Sequence, residues 1–201
     1  MWNEIIIALR VTIVTLLLTG IAYPVAVTGA AHLLFGSQAG GSLVNDDQGH
    51  IVGSDLIGQS FANPSYFWSR PSAAGENGYD ATASGGSNLG ATSKKLHDRI
   101  AADVARMQET NPSAKGPVPI ELVTTSASGL DPHLSPAAAL WQVPRVAAAR
   151  GVAAERVRLT VENMVEGRDL GLLGEPRVNV LRLNLALDRQ FGRAPTTRAG
   201  G

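Results

Sequence analysis

The sequence predicts a mixed α/β protein of the α+β type, with one N-terminal transmembrane helix followed by a single soluble domain containing a small sheet and several helices. Three observations carry that prediction. Val11 to Ala31 is an uncharged, mainly apolar run of 21 residues. Apolar residues recur at helical spacing at Leu96, Ile100, Val104 and Met107, and again at Val157, Val161, Met164 and Val165. Two short β-prone runs flank a polar loop, Asn45–Gly49, that ends in glycine. The 201 residues suffice for one span and one domain of ordinary size. The expected boundaries are an N-terminal segment over 1–35 with its span at about residues 8–32, a soluble domain over 36–190, and a disordered polar tail over 191–201.

The first element is the span. A helix needs about 20 mainly apolar residues to cross hydrocarbon about 30 Å thick, and the run meets that length. Arg10 lies about one turn inside the apolar stretch, where its stem reaches the headgroups, and Trp2 and Tyr23 are the aromatic candidates for membrane anchoring. A cleaved signal peptide is the competing reading, with Thr28-Gly29-Ala30-Ala31 as the cut site. Such peptides carry a basic leader and a shorter apolar core, whereas this chain opens on "MWNE". Arg10 is the one base near the N-terminal end, and no Lys or Arg occurs from residue 11 to 69. The positive-inside bias therefore expects the N-terminus in the cytoplasm and the domain outside.

After the flexible exit GSQAGG and the hairpin, an aromatic set (Phe61, Tyr66, Phe67, Trp68) broken by Pro64 and Pro71 predicts a long irregular segment packed onto the core. Residues 71–92 are rich in glycine and poor in large apolar side chains, so they are expected on the surface. Thr92 or Ser93 is placed to cap a helix to about Gln108. Glu121–Thr125 reads as a short buried strand. Ser135-Pro136 opens a helix expected to stop before Pro144, with a second from there to Gly151. Ala153–Glu166 reads as a helix closed by Gly167, and Val178–Leu183 as a strand whose sequel turns helical.

Composition excludes more than it assigns. There is no cysteine, hence no disulfide framework or thiolate chemistry. Residues 32–90 carry five acids against Arg70 alone, while residues 91–201 carry fifteen Lys/Arg and eleven Asp/Glu. That asymmetry is too slight for a nucleic-acid partner. No catalytic residue and no metal ligand set is expected: Gly-x-Ser-x-Gly is missing, and His32, His50, His97 and His133 lack ligand spacing. Asp131-Pro132-His133 reads as a turn. One stretch approaches a motif. Gly85-x-x-x-x-Gly90-Ala91-Thr92 is a P-loop pattern with alanine at the lysine position and no strand before it. What remains is a set of donors at Ser84, Gly85, Gly86, Ser87 and Asn88, able to hold an anion, a partner's carbonyl surface or the loop itself. Glycines at 85 and 86 imply positive φ or a second backbone close by.

One order of blocks is specific. The apolar span is followed by "GSDLIGQSF", "YFWSRPSA", "YDATASGGSNLGATS", "SGLDPHLSPAAALWQVPRVAAARG" and "LGEPRVNVLRLNLALD". Together they closely resemble the C subunit of the Kdp-type high-affinity potassium-transporting ATPase, over nearly the whole chain. Two departures are Trp68-Ser69 before Arg70-Pro71, and Ser93-Lys94 where the family commonly has Asn-Pro. The resemblance implies an accessory subunit of a bacterial inner (plasma) membrane complex, inactive alone and without a firmly bound cofactor. Its implied partners are a channel-like K+-translocating subunit, a P-type ATP-hydrolysing subunit and a small membrane peptide, within a lipid bilayer. Two roles follow: a domain capping the external face of the K+-translocating subunit, or a catalytic chaperone raising ATP affinity through the SGGSN loop. The second conflicts with the charge-based topology, because ATP is cytoplasmic.

Overall fold

The computed structural model describes residues 1–194. It divides into two compact units, Met1–Leu43 and the chain from Val44 onward. The first unit is one long helix, Trp2–Leu34, whose 33 residues are long and apolar enough to cross a membrane. Its segments are α1 (Trp2–Leu17), a π turn (Leu18–Ala22) and α2 (Tyr23–Leu34), followed by the short α3 (Gly36–Ala39). Only Tyr23 separates the π turn from Pro24, which has no N–H to continue the α ladder. The hydroxyl of Thr19 donates to the carbonyl of Thr15 at 2.7 Å, which hides a polar group on an apolar helix. None of α1 or α2 is buried by protein. Trp2 is exposed near the start; Tyr23 lies beside the π turn, about 16 Å along the helix from Leu34 at 1.5 Å per residue.

Where the second unit begins, β1 (Leu43–Asn45) and β2 (Ile51–Ser54) form the expected hairpin. Its loop is tied by Asp46, whose carboxylate accepts from the amides of Gln48 and His50 at 2.9 Å each. The aromatic segment follows without regular structure, and Phe67 is fully buried with Phe61 and Trp68 packed against the core. Helix α4 (Lys94–Thr110) turns Met107 inward, with Ile100 and Val104 against the core. Ser93 stands at the N-cap, but its side chain makes no capping bond.

Three expectations fail here, each for a stated physical reason. The strand expected at Glu121–Thr125 is a 3-10 turn, Ile120–Leu122: Leu122 and Val123 are buried as expected, but their amides bond the carbonyls of Pro119 and Ile120 three residues back instead of a neighbouring strand. The helix expected to break at Pro144 continues as α5 (Pro136–Arg150). A proline inside a helix costs about 3 kcal/mol, and the buried face containing Trp141, Val143, Val146 and Ala147 outweighs it. Capping helps: the Ser135 hydroxyl accepts from Ala138 N–H, and Gly151 closes the helix at φ +65°. The strand expected at Val178–Leu183 is only β4 (Val178–Asn179), after which α7 (Val180–Phe191) begins under an Asn179 cap to Arg182 N–H. Alternating leucines imitate a strand, but Val180, Leu183, Asn184 and Leu187 are the buried helical stripe.

Helix α6 (Ala154–Asn163) buries Val157 and Val161 and ends before the expected Gly167. β4 pairs antiparallel with β3 (His133–Leu134), Leu134 opposite Val178. Helices α5, α6 and α7 pack in sequence around a core of Val146, Val157, Val161, Leu183 and Leu187, joined by Leu134 and Val178 of the small sheet. Of the tail expected from Phe191, Phe191 ends α7 and packs on the core, and Ala194 is buried. Residues 195–201 lie outside the described residues.

Candidate functional site

The irregular segment Pro64–Pro71 has no neighbouring strand, so its backbone groups are satisfied by side chains from the helices. Asn184 of α7 accepts from Phe67 N–H at 2.8 Å and donates to Phe67 carbonyl at 3.0 Å. Gln142 of α5 does the same for Trp68, at 2.9 and 3.1 Å. Each side-chain amide thus stands in for one rung of a β ladder, and both amides are buried. The Arg145 guanidinium donates to the carbonyls of Pro64 and Tyr66 and to Gln142, and lies 3.8 Å from the Trp68 ring centroid. Burial pulls its pKa down to about 9; among the described residues it forms no ion pair. Arg150 closes the far end through Ser65 carbonyl and the Asp188 carboxylate.

This clamp holds Arg70, whose guanidinium reaches Asp131 Oδ2 at 3.0 Å. Asp131 also accepts from His133 N–H at 3.0 Å, the turn geometry its sequence predicts. Burial opposes ionisation of Asp131, but the bonds from His133 and the nearby Arg70 charge outweigh it and hold the carboxyl below its usual range. Ser72 donates to the Gly129 carbonyl at 2.6 Å and accepts from the amides of Ala74 and Tyr79.

Against this scaffold lies the glycine-serine loop. Gly85 N–H donates to the Ser128 carbonyl at 2.8 Å, and the Ser84 hydroxyl donates to the same oxygen at 3.0 Å. A Cβ on Gly86 would sit 3.1 Å from the Ala127 carbonyl oxygen, so the backbone that comes close is the chain's own. Neither Gly85 nor Gly86 has positive φ. A Cβ on Gly85 would meet nothing nearer than 4.0 Å, so only Gly86 meets the reason given for glycine. The crowded glycine is Gly129, at φ +68° with Gly85 oxygen 2.6 Å and Ala74 nitrogen 2.8 Å from a built Cβ. Asn88 takes φ +50°, a conformation asparagine tolerates. Helix α4 starts at Lys94, well past the glycines, so the amides of 85–90 do not form the first turn of a helix.

The two loops border an open groove of about 810 Å³, lined by Ser84, Ser126, Ser128, Leu130, Asp131 and Arg70 among others. Its cation and its carboxylate are the pair already described, so a polyphosphate entering it meets Asp131 as well as Arg70. Of the five loop residues expected together, Ser84, Gly85 and Gly86 touch this rim through their own chain. Sequence reasoning did not single out Ser128, Gly129 or Arg70, whose partners lie far along the chain; the turn at Asp131 was the one local signal. The other quoted blocks also pair with each other: Asp55 bonds Arg182 Nε at 2.6 Å, and its carbonyl accepts from Asn179.

A single helix long and apolar enough to cross a membrane, ahead of a compact mixed domain, points to the class of single-span membrane proteins. Residues 5–189 match the family model described as K+-transporting ATPase, c chain. The chain is 61% identical over 200 residues to the potassium-transporting ATPase KdpC subunit of Myxococcus xanthus, covering all of this chain and 94% of that one. It is 57% identical to the KdpC subunit of Nitratidesulfovibrio vulgaris, covering 90% and 92% of the two chains. The corresponding subunit of Koribacter versatilis is 51% identical, with 94% and 95% covered. The chain belongs to the KdpC family, the c chain of the K+-transporting ATPase, an accessory subunit of that potassium uptake complex.

Proposed function

We propose that the chain is a non-catalytic assembly and coupling subunit whose soluble domain lies on the external, periplasmic face of the inner membrane and caps the K+-translocating subunit. Its partners in this reading are that channel-like subunit, the P-type ATP-hydrolysing subunit and a small membrane peptide. The observation that carries the reading is the use of the first two SGGSN donors within the chain: Ser84 and Gly85 both serve the Ser128 carbonyl, and Gly86 is packed on Ala127. A phosphate cradle needs those donors free and a helix start beside them. The charge pattern supports the same side, since Arg10 is the base that marks the cytoplasmic end.

Sidedness tests this reading directly. The chain has no cysteine, so Lys115→Cys introduces a unique thiol at an exposed position. In intact spheroplasts a membrane-impermeant maleimide should modify it without lysis. Modification only in inverted vesicles would place the domain in the cytoplasm and return the ATP-affinity role to contention.

A further inference from the structure

Between α6 and β4 the chain folds back as a small braced hairpin. Glu166 and Arg177 pair antiparallel through backbone bonds of 2.8 and 3.0 Å, and Asp169 and Leu173 pair at 2.9 Å in both directions. Side chains brace it: Arg177 bonds Glu166 and Asp169, and Arg168 bonds Glu175 at 2.8 Å. At the tip Leu170 is 90% exposed, Leu172 81% and Leu173 61%. Leu170 also takes φ +54°, which is uncommon for a bulky residue. Three leucines displayed in water, one in a disfavoured conformation, gain nothing from the domain's own core.

Charge separates the candidate occupants. The collar holds Glu166, Asp169 and Glu175 against Arg168 and Arg177, and every one is paired within the hairpin. Anionic headgroups attract free Lys or Arg, and interfacial anchors use Trp or Tyr; the tip offers neither. Self-association through this hairpin would set one acid-rich collar against another. A protein socket lined by apolar, uncharged side chains has neither problem, because it sets no second acid-rich collar against the first and seating removes mainly leucine surface from water.

We propose that Leu170, Leu172 and Leu173 form a preformed docking knob that seats in an apolar, uncharged pocket on the outward-facing surface of a larger subunit of the transport ATPase. This rests on the functional reading above. Thiol accessibility of Leu172→Cys tests it, in nanodiscs holding either the lone full-length chain or the assembled complex. The maleimide reaction should slow about tenfold or more on assembly, as for a residue entering a desolvated pocket. Equal rates overturn the proposal. Protection already present in the lone chain overturns it in favour of lipid, or of a second copy if protection rises with chains per disc. The pair Leu170→Asp with Leu172→Asp should lower co-purification with the large subunits by a similar factor, while the full-length chain melts as wild type because neither side chain is buried. Wild-type recovery of the complex would sink the knob. Failure of the unmutated chain to co-purify would sink the functional reading first.

Discussion

Two irregular stretches, Pro64–Pro71 and Ser84–Gly90, both lack strand or helix, yet they are held by opposite means. The first is aromatic and buried, and its amides and carbonyls are met by the side chains of Gln142, Asn184, Arg145 and Arg150. The second is small and polar, and it rests on the neighbouring loop through Ser128 and Ala127, with Ser84, Asn88 and Gly90 exposed. Motif-like glycine content drew attention to the second, but the first is where removing one side chain strands several buried groups at once. The source of the backbone's partners, not the residue type on display, decides which irregular segment the fold depends on.

The largest expected effect follows from that difference. Gln142→Ala leaves Trp68 N–H, Trp68 carbonyl and the Arg145 guanidinium each short of a partner in a buried site. An unsatisfied buried group costs about 1–3 kcal/mol, so a loss of about 3–5 kcal/mol is expected after partial rehydration. Denaturant titration of the full-length chain in micelles measures it. A midpoint close to wild type would mean that the clamp is dispensable and the comparison empty.

Gly129→Ala should cost less and act elsewhere. Its Cβ meets the Gly85 oxygen and Ala74 nitrogen at a left-handed φ, so the two loops must part. About 2 kcal/mol is expected from strain and displaced contacts. Hydrogen exchange sharpens the contrast: amides at 84–90 should exchange faster while Phe67 and Trp68 keep wild-type protection. Uniform acceleration across both stretches would show that they form one cooperative unit.

The legible parts of this fold are those with local periodicity. The stripe Leu96–Met107 gave α4 and Asn45–Gly49 gave the hairpin, because three- or four-residue spacing and a turn signal are short-range features. Pro144 hid the continuity of α5, since a local breaker was overruled by burial on both sides of it. Asn184 hid the early start of α7 at Val180, because a polar residue in the buried stripe left the alternating leucines as the visible pattern, although a helix was expected after Leu183. The clamp was out of reach altogether: Gln142 and Trp68 are 74 positions apart, and Asn184 and Phe67 are 117. The loop's glycines were visible in the sequence but their purpose was not. Gly86 is crowded by Ala127 of its own chain, and it is a Cβ on Gly129, not on Gly85, that would meet the Gly85 carbonyl oxygen. The leucine hairpin escaped for the same reason, since "LGLLG" looks like core until its exposure is known.

The smallest expected effects separate a resting loop from a nucleotide site. Ser84 donates one exposed bond to Ser128, so Ser84→Ala should cost about 0.5–1 kcal/mol at most. The Ser87 hydroxyl makes no hydrogen bond among the described residues, so Ser87→Ala should leave the denaturation midpoint unchanged. If the loop instead cradled phosphate, the ranking would reverse in a binding assay, with both hydroxyls and the adjacent amides contributing to affinity. Equilibrium dialysis of the full-length chain against millimolar ATP provides the comparison. No saturable binding is expected for wild type or either variant, because the Gly85 amide is already committed and the groove's one arginine is paired with Asp131. Saturable binding that Ser87→Ala weakens several-fold, with stability untouched, would show that the wet side of this loop is a ligand site and that the contrast with Pro64–Pro71 has been drawn in the wrong terms.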